Sequence, residues 1–265
     1  MHSVLVLQSL RSHWKSISAW SLGMVAIVAM LLAMYPSVQE SAAQMDQFIE
    51  QFPEALKALF RITDYSSGPG YLSTEMFSAM APLIFIAVAT AWGASATAGE
   101  EDKGTADLLF ALPISRISVV ASKAIAMIIV LGLIAFVLAM SLFIGKAFID
   151  IELSITNLFA ACTSTALLGA LFGSIALLVG AWSGKRALAL GVSVGAAIAT
   201  YLLYSLAPLV DWLENLLPYN PFEWANGAQP LFNGWDISGL IWLSLTTVAI
   251  ILGAMAAIQN REFGS

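Results

Sequence analysis

The chain is dominated by long stretches without a charged residue. Six stretches of 22 or more consecutive residues lack Asp, Glu, Lys and Arg, and together they account for 150 of the 265 positions. About 20 apolar residues, each rising ~1.5 Å, cross the hydrocarbon core of a bilayer, so each stretch can hold one spanning helix. The sequence therefore predicts an all-α, polytopic membrane protein with six spans, at 16–35, 76–98, 120–145, 155–182, 187–208 and 237–258.

The spans leave room for only short segments between them. Residues 1–15 are expected to form an amphipathic helix on the membrane surface, because Val4, Leu7, Leu10 and Trp14 recur at helical spacing. The remainder, 16–265, is predicted to be a single six-span domain. Its main connections are an outer segment at 37–73, a cytoplasmic loop at 99–119 and an outer loop at 209–236.

The basic residues indicate the orientation. With the N-terminus in the cytoplasm, the inner segments hold eight of the 11 Lys and Arg residues and five of the 17 carboxylates. That distribution follows the positive-inside rule, and the even number of spans places both termini in the cytoplasm. The net charge of −6 is summed over two sides of a membrane, so it gives no reason to expect nucleic-acid binding.

Ionisable groups are missing from the middle of the predicted spans. His2 and His13 both belong to the N-terminal helix, and no carboxylate falls at mid-depth. Proton-driven carriers and intramembrane hydrolases need such groups, so the sequence disfavours both classes. Cys162, the single cysteine, is expected to be a small buried hydrophobe. The segment from Gly180 to Arg186 has the wrong spacing for a phosphate-binding loop, so we expect no nucleotide site.

Three Gly-x-x-x-Gly pairs predict places where helix backbones approach closely. The pairs are Gly169 with Gly173, Gly180 with Gly184, and Gly191 with Gly195. Contact within one subunit or contact with a second copy would satisfy each pair equally well. The spacing alone leaves both possibilities open.

The outer segments carry apolar residues of their own. A helical apolar face runs from Met45 to Phe60, and Pro53 within it predicts either a kink or a split into two helices. This segment either rests on the outer leaflet or covers an exit path. Trp212, Trp224 and Trp235 are expected to anchor short helices at the membrane interface.

The cytoplasmic segment after the second span has an unusual composition. Thr105 can cap a short helix that Pro113 ends, and a second helix starting at Ser115 then leads into the third span. Leu108, Leu109 and Leu112 lie on the short helix. So many apolar residues in a surface turn favour a protein partner over an ordinary solvated loop.

This segment resembles the signature of ATP-binding-cassette type 2 (ABC-2) permeases. The matching positions are Glu100, Glu101, Gly104, Thr105, Leu108, Leu109, Pro113, Ser115, Arg116 and Lys123. The six-span layout, the surface helix before the first span and the outer segment from Phe52 to Tyr71 are also similar to that family. The likeness covers nearly the whole chain, although the tail at 259–263 matches only loosely.

The resemblance implies a permease of the type V exporter-like fold that pairs with a second copy or a related permease. Each permease would rest on a separate cytoplasmic ABC ATPase, which holds the ATP and magnesium, while this chain itself binds no cofactor. The helix around Thr105 to Leu112 would couple the two proteins, with Glu100 and Glu101 at its membrane end and Arg116 at its far end.

Family analogy also implies that the second and fifth spans line the translocation path. The residues they would offer are Trp92, Ser95, Thr97, Ser193, Thr200, Tyr201, Tyr204 and Ser205. This uncharged lining suits an apolar or amphipathic cargo exported across the plasma membrane of a bacterium or archaeon. A membrane scaffold or assembly factor without transport activity is the alternative, since it would also explain the apolar cytoplasmic helix.

Overall fold

The computed structural model describes residues 2–53, 56–57, 64–96 and 115–259, which form helices and turns without a strand among them. The principal helices are numbered in chain order. They are α1 (His2–Ser12), α2 (Trp14–Glu40), α3 (Ala42–Glu50), α4 (Gly68–Ala96), α5 (Arg116–Gly145), α6 (Ile155–Ser183), α7 (Arg186–Leu209), α8 (Asp211–Glu214), α9 (Pro221–Asn226), α10 (Pro230–Asn233) and α11 (Ile237–Gln259).

Six of these helices, α2, α4, α5, α6, α7 and α11, are long and apolar enough to cross a membrane. The prediction of six spans is therefore confirmed. Helix α4 begins eight residues before the start of the span predicted from the sequence. It begins there because the Ser67 hydroxyl accepts the Gly70 N–H and Pro69 occupies the first turn, which together start a helix. A π-helical turn at Ser73–Phe77 then carries it into the apolar stretch.

The alternation of the spans gives the bundle two ends. The N-terminal end carries α1, the end of α4, the start of α5 and the turn between α6 and α7. The distal end carries α3, residues 146–154 and residues 210–236.

Helix α6 lies at the centre of the bundle and packs against α4, α5, α7 and α11. In its most apolar window 67% of the residues are buried, whereas in α2 and α7 only 22% are. The peripheral helices consequently present long aliphatic faces outward, as expected of helices that contact lipid. The largest cluster of buried apolar side chains lies between α2, α4 and α5, and α6 closes it.

The glycine pairs have three different environments. A Cβ at Gly93 would overlap the carbonyl oxygen of Gly173, and a Cβ at Gly169 would lie 3.0 Å from the Phe85 backbone. The pair Gly169 and Gly173 therefore packs within the subunit, where it allows the α4 and α6 backbones to touch. At Gly191 and Gly195, in contrast, an added Cβ would meet nothing within 4 Å. Both positions are exposed on the outer face of α7.

The third pair shapes the turn between α6 and α7. Gly184 has φ +68°, a left-handed conformation that glycine adopts without strain, and its N–H donates to the Gly180 carbonyl at 2.9 Å. Only Gly184 and Lys185 separate the last residue of α6 from the first residue of α7. The two spans therefore form a tight antiparallel hairpin.

A buried polar contact joins three spans near their middle. The Ser193 hydroxyl of α7 donates to the Phe172 carbonyl of α6 at 2.7 Å and lies 3.1 Å from the Thr90 hydroxyl of α4. Both side chains are almost fully enclosed. Hydrogen bonds of this kind hold helices together where apolar contact alone gives little preference over lipid.

Asparagine side chains fasten the segment from Asp211 to Asp236, the distal cap, onto the spans. Asn220 donates to the Thr200 carbonyl at 2.8 Å, and Asn226 donates to the Phe77 carbonyl at 3.3 Å. From the other side, Asn157 of α6 donates to the carbonyls of Leu231 and Phe232 at 3.1 and 2.8 Å. The cap is thereby tied to α4, α6 and α7.

The three tryptophans of the cap have different surroundings. Trp212 and Trp235 are exposed, as expected of side chains at a membrane interface. Trp224 instead donates its ring N–H to the Pro218 carbonyl at 2.7 Å and stacks on Trp242 of α11 at 6.1 Å. It therefore has a packing role inside the protein.

The outer segment divides at Pro53. Helix α3 ends at Glu50, and the Leu56 N–H donates to the Pro53 carbonyl at 2.8 Å, so a new helical turn begins there. Because α3 ends before Pro53, no single helix runs from α3 through this proline. Farther along, the Tyr65 hydroxyl donates to Glu75 at 2.7 Å. Burial, followed by this hydrogen bond, raises the pKa of the Tyr65 phenol well above its usual value.

Helix α1 packs against α5 along one face. Ser9 is buried on that face and Leu10 packs on the core, while Leu7 and Trp14 are 64% and 58% exposed. Of the apolar stripe seen in the sequence, Leu10 thus contacts the protein, whereas Leu7 and Trp14 point away from it.

Candidate functional site

The segment predicted to couple with an ATPase falls almost entirely outside the described residues. Helix α4 is described to Ala96 and α5 from Arg116, with Ser115 before it. The predicted residues beyond these limits are Glu100, Glu101, Gly104, Thr105, Leu108, Leu109, Leu112 and Pro113, together with Thr97 of the predicted path. Their roles therefore remain predictions.

The start of α5 agrees with the sequence. Ser115 has an extended backbone, and its hydroxyl accepts the Ser118 N–H at 3.2 Å, so it caps the helix as predicted. Arg116 and Lys123 follow on α5, seven residues apart and on the same face, and both are half-buried. The last part of the predicted signature thus lies on a rigid helix that enters the bundle.

The predicted path residues of α7 lie mostly inside one subunit. Ser193 and Tyr204 are buried, while Thr200, Tyr201 and Ser205 are half-buried. The rings of Tyr201 and Tyr204 lie 5.3 and 6.0 Å from that of Phe222 in the distal cap. These contacts show a packing role in this arrangement, and the path function stays a prediction.

Trp92 and Ser95 have different surroundings, because both line a cavity of about 350 Å³ at the N-terminal end. Four parts of the chain form its walls: the α1–α2 junction, the second half of α4, one residue of α5 and the first residue of α7. The lining residues are His13, Ser16, Ile17, Trp20, Val88, Ala91, Trp92, Ser95, Val130 and Arg186.

Aromatic contacts shape one wall of this cavity. The His13 ring lies 4.7 Å from the ring of Trp92, and His13 Nδ1 lies 2.9 Å from the Ser9 carbonyl oxygen. The same Nδ1 lies 2.9 Å from the Ser12 hydroxyl, so two groups of α1 contact it. The imidazole is thus fixed by α1 and holds the indole of α4 against the start of α2.

Sequence reasoning named only two of the ten lining residues as site residues, Trp92 and Ser95, and the eight that it missed include His13, Trp20 and Arg186. His13 and Trp20 lie near the start of the chain and Arg186 lies far beyond them, so only the packing of α2, α4 and α7 brings the three together. One available signal was that each lies at or near the boundary of an uncharged stretch, on the same predicted side of the membrane as Ser95. Among the described residues, no cluster of His, Cys, Asp and Glu could hold a metal ion.

The comparisons with known proteins agree with the geometry. The model of the family described as ABC-2 family transporter protein matches residues 6–260, which is nearly the whole chain. No curated protein matches the sequence. The match extends from α1 through all six spans to the end of α11, so the resemblance identified in the sequence is confirmed. This multi-pass membrane protein therefore belongs to the ABC-2 transporter family.

Proposed function

We propose that the chain is the permease subunit of an ATP-binding-cassette exporter that moves an apolar or amphipathic molecule across the plasma membrane of a bacterium or archaeon. The observation that carries this proposal is the family match over 6–260 on a bundle of six apolar helices. In this proposal the N-terminal end faces the cytoplasm, in agreement with the positive-inside rule. Leu7 of α1 and Trp14 at the start of α2, which point away from the protein, then contact the inner leaflet.

The energy for transport comes, in this proposal, from a separate cytoplasmic ATPase that holds ATP and magnesium. The segment between α4 and α5 contacts that ATPase through Leu108 and Leu109. The packing of α4 supports this arrangement, because its backbone touches that of the central helix α6 at Gly93 and Gly173. A force applied to the end of α4 is therefore transmitted directly to the middle of the bundle.

A second permease copy packs, in this proposal, on the outer face of α7. Gly191 and Gly195 on this face have no neighbour within 4 Å of an added Cβ, so a second helix could approach the α7 backbone closely. Gly195→Leu should therefore reduce the dimer fraction measured by photobleaching of labelled protein in liposomes. Gly132→Leu, on the open face of α5, should leave the dimer intact. An equal effect of both substitutions would argue against α7 as the interface.

The main experiment tests the ATPase contact with the permease and ATPase co-expressed from neighbouring genes. Leu108→Asp should prevent co-purification and abolish ATP hydrolysis by the complex, because a charge would enter an apolar contact. Tyr219→Asp, at a position 77% exposed in the distal cap, is the matched control and should leave the complex intact. A tight and active Leu108→Asp complex would refute the coupling role.

Transport is measured in proteoliposomes that contain the active complex. ATP-dependent movement of an NBD-labelled single-chain lipid between leaflets, followed by dithionite quenching, would support an exporter of amphipathic molecules. Hydrolysis or complex formation without any movement of labelled amphipaths would support the scaffold alternative instead.

A further inference from the structure

The cavity at the N-terminal end extends from the limit of the spans into their apolar part. Ser95 lies one residue before the end of α4, and Arg186 is the first residue of α7. Val88 lies seven residues before Ser95 on α4, which corresponds to a depth of about 10 Å along the helix. A molecule in this cavity would therefore have one end at the membrane surface and the other among aliphatic side chains.

Charge is distributed unevenly around the cavity. Among the residues that the structure describes, Arg186 is the one Lys or Arg that lines it, and none of the ten lining residues found there is a carboxylate. The first turn of α7 has no acidic residue, and the N-cap Lys185 makes no side-chain hydrogen bond there. The partial positive charge at the start of α7 thus adds to that of the guanidinium. A planar guanidinium binds phosphate, sulfate or carboxylate through paired hydrogen bonds.

The apolar part of the lining suits an apolar chain. Trp20 and Trp92 present indole rings next to Ile17, Val88 and Val130. Ser16 and Ser95 also line the cavity, and the Ser95 hydroxyl donates to the Ala91 carbonyl of its own helix at 2.6 Å. An amphipathic ligand would contact both parts at once, whereas an inorganic anion or a plain hydrocarbon would use only one of them.

We infer that this cavity is a binding site for an anionic amphipath, with its acidic head group at Arg186 and its apolar chain against Trp20 and Trp92. A membrane phospholipid and an exported molecule share this chemistry. The binding itself does not depend on the proposed function, while the identification of the ligand as cargo rests on it.

The test uses the purified chain in dodecyl maltoside with dodecyl phosphate as the probe, and intrinsic tryptophan fluorescence as the readout. Arg186→Gln should weaken binding about tenfold, as expected for a lost charge-assisted contact. The matched control is Lys185→Gln, which removes the same charge from the adjacent residue that does not line the cavity. It should change the affinity less than threefold. Arg186→Lys should restore part of the affinity.

Equal weakening by Arg186→Gln and Lys185→Gln would overturn the assignment, because it would indicate only a general attraction to positive charge. Trp92→Leu adds a second test that leaves the charge unchanged. It should weaken binding of dodecyl phosphate more than binding of methyl phosphate, and the absence of such a difference would overturn the assignment of the apolar chain to this wall.

Native mass spectrometry distinguishes the two sources of the ligand. Phosphatidylglycerol retained by the wild type and lost in Arg186→Gln would identify a resident lipid. A wild type that carries no lipid, binds dodecyl phosphate and, in the active complex, moves NBD-labelled lysophosphatidylglycerol would identify cargo. Failure of the chain alone to bind any anionic amphipath would overturn the inference. Because this binding test needs no ATPase, its failure would leave the proposed permease function standing.

Discussion

The contact between α4 and α6 at Gly93 gives a prediction that is calculated directly from the geometry. In Gly93→Ala, the new methyl group would overlap the Gly173 carbonyl oxygen and lie 3.0 Å from the Leu177 nitrogen. Both are backbone atoms of α6, so no flexible side chain can move aside, and the two spans must separate. This separation would also strain the nearby contact in which the Ser193 hydroxyl of α7 donates to Phe172 of α6 and lies beside Thr90 of α4.

The expected magnitude follows from two opposing effects. Overpacking of a closely packed core costs about 1–3 kcal/mol, and replacing a helical glycine by alanine recovers up to about 1 kcal/mol. Because the overlap is with rigid backbone, the upper part of the first range applies. Gly93→Ala should therefore lower the free energy of unfolding by about 2 kcal/mol.

The assay is unfolding by SDS titration in dodecyl maltoside micelles, followed by circular dichroism and tryptophan fluorescence. Gly132→Ala on α5 is the control, because an added Cβ there meets nothing within 4 Å. It should leave stability unchanged or raise it slightly. Equal stability of Gly93→Ala and wild type, or an equal loss in both variants, would refute the reasoning about backbone contact.

Three further predictions concern polar contacts. The first and the third are changes in stability, measured by the same SDS titration. Ser193→Ala should cost about 1–2 kcal/mol because it removes bonds between spans, whereas Ser141→Ala, whose bond lies within its own helix, should cost less. Asn157→Ala should speed proteolysis of the distal cap, and Asn233→Ala, which bonds only within the cap, should not do so to the same extent. Tyr65→Phe should lose about 1 kcal/mol at neutral pH. This deficit in stability relative to wild type should shrink above about pH 10, because the unfolded wild-type phenol ionises there while the folded one stays protonated. A deficit that stays constant with pH would contradict the raised pKa of Tyr65.

The sequence predicts the parts of the fold that depend on local composition. An uncharged apolar stretch of sufficient length forms a helix in lipid whatever its neighbours, because its backbone must bond internally. The cap at Ser115 is similarly local, since it needs only a hydroxyl and the following N–H groups. These features agree with the structure, and the family resemblance agrees with the match over 6–260.

Features that depend on which face of a helix meets another could not be predicted in the same way. The pairs Gly169 with Gly173 and Gly191 with Gly195 have the same spacing, yet one is buried against α4 and the other is exposed on α7. Uniformly apolar spans give little indication of which side faces protein and which faces lipid. The cavity was missed for a related reason, because its aromatic contact joins His13 to Trp92 across two spans.

The two-residue turn at Gly184 and Lys185 limits how the fourth and fifth spans can move apart. Such a short connection fixes the distance between the two helices at one end. They can therefore separate only by tilting about that turn. The separation must increase toward the distal end, beyond the point where the Asn220 side chain of the distal cap donates to the Thr200 carbonyl of α7. Asn220 joins the distal cap to the fifth span and Asn157 joins it to the fourth, so the amide bonds on both sides of the cap resist that opening.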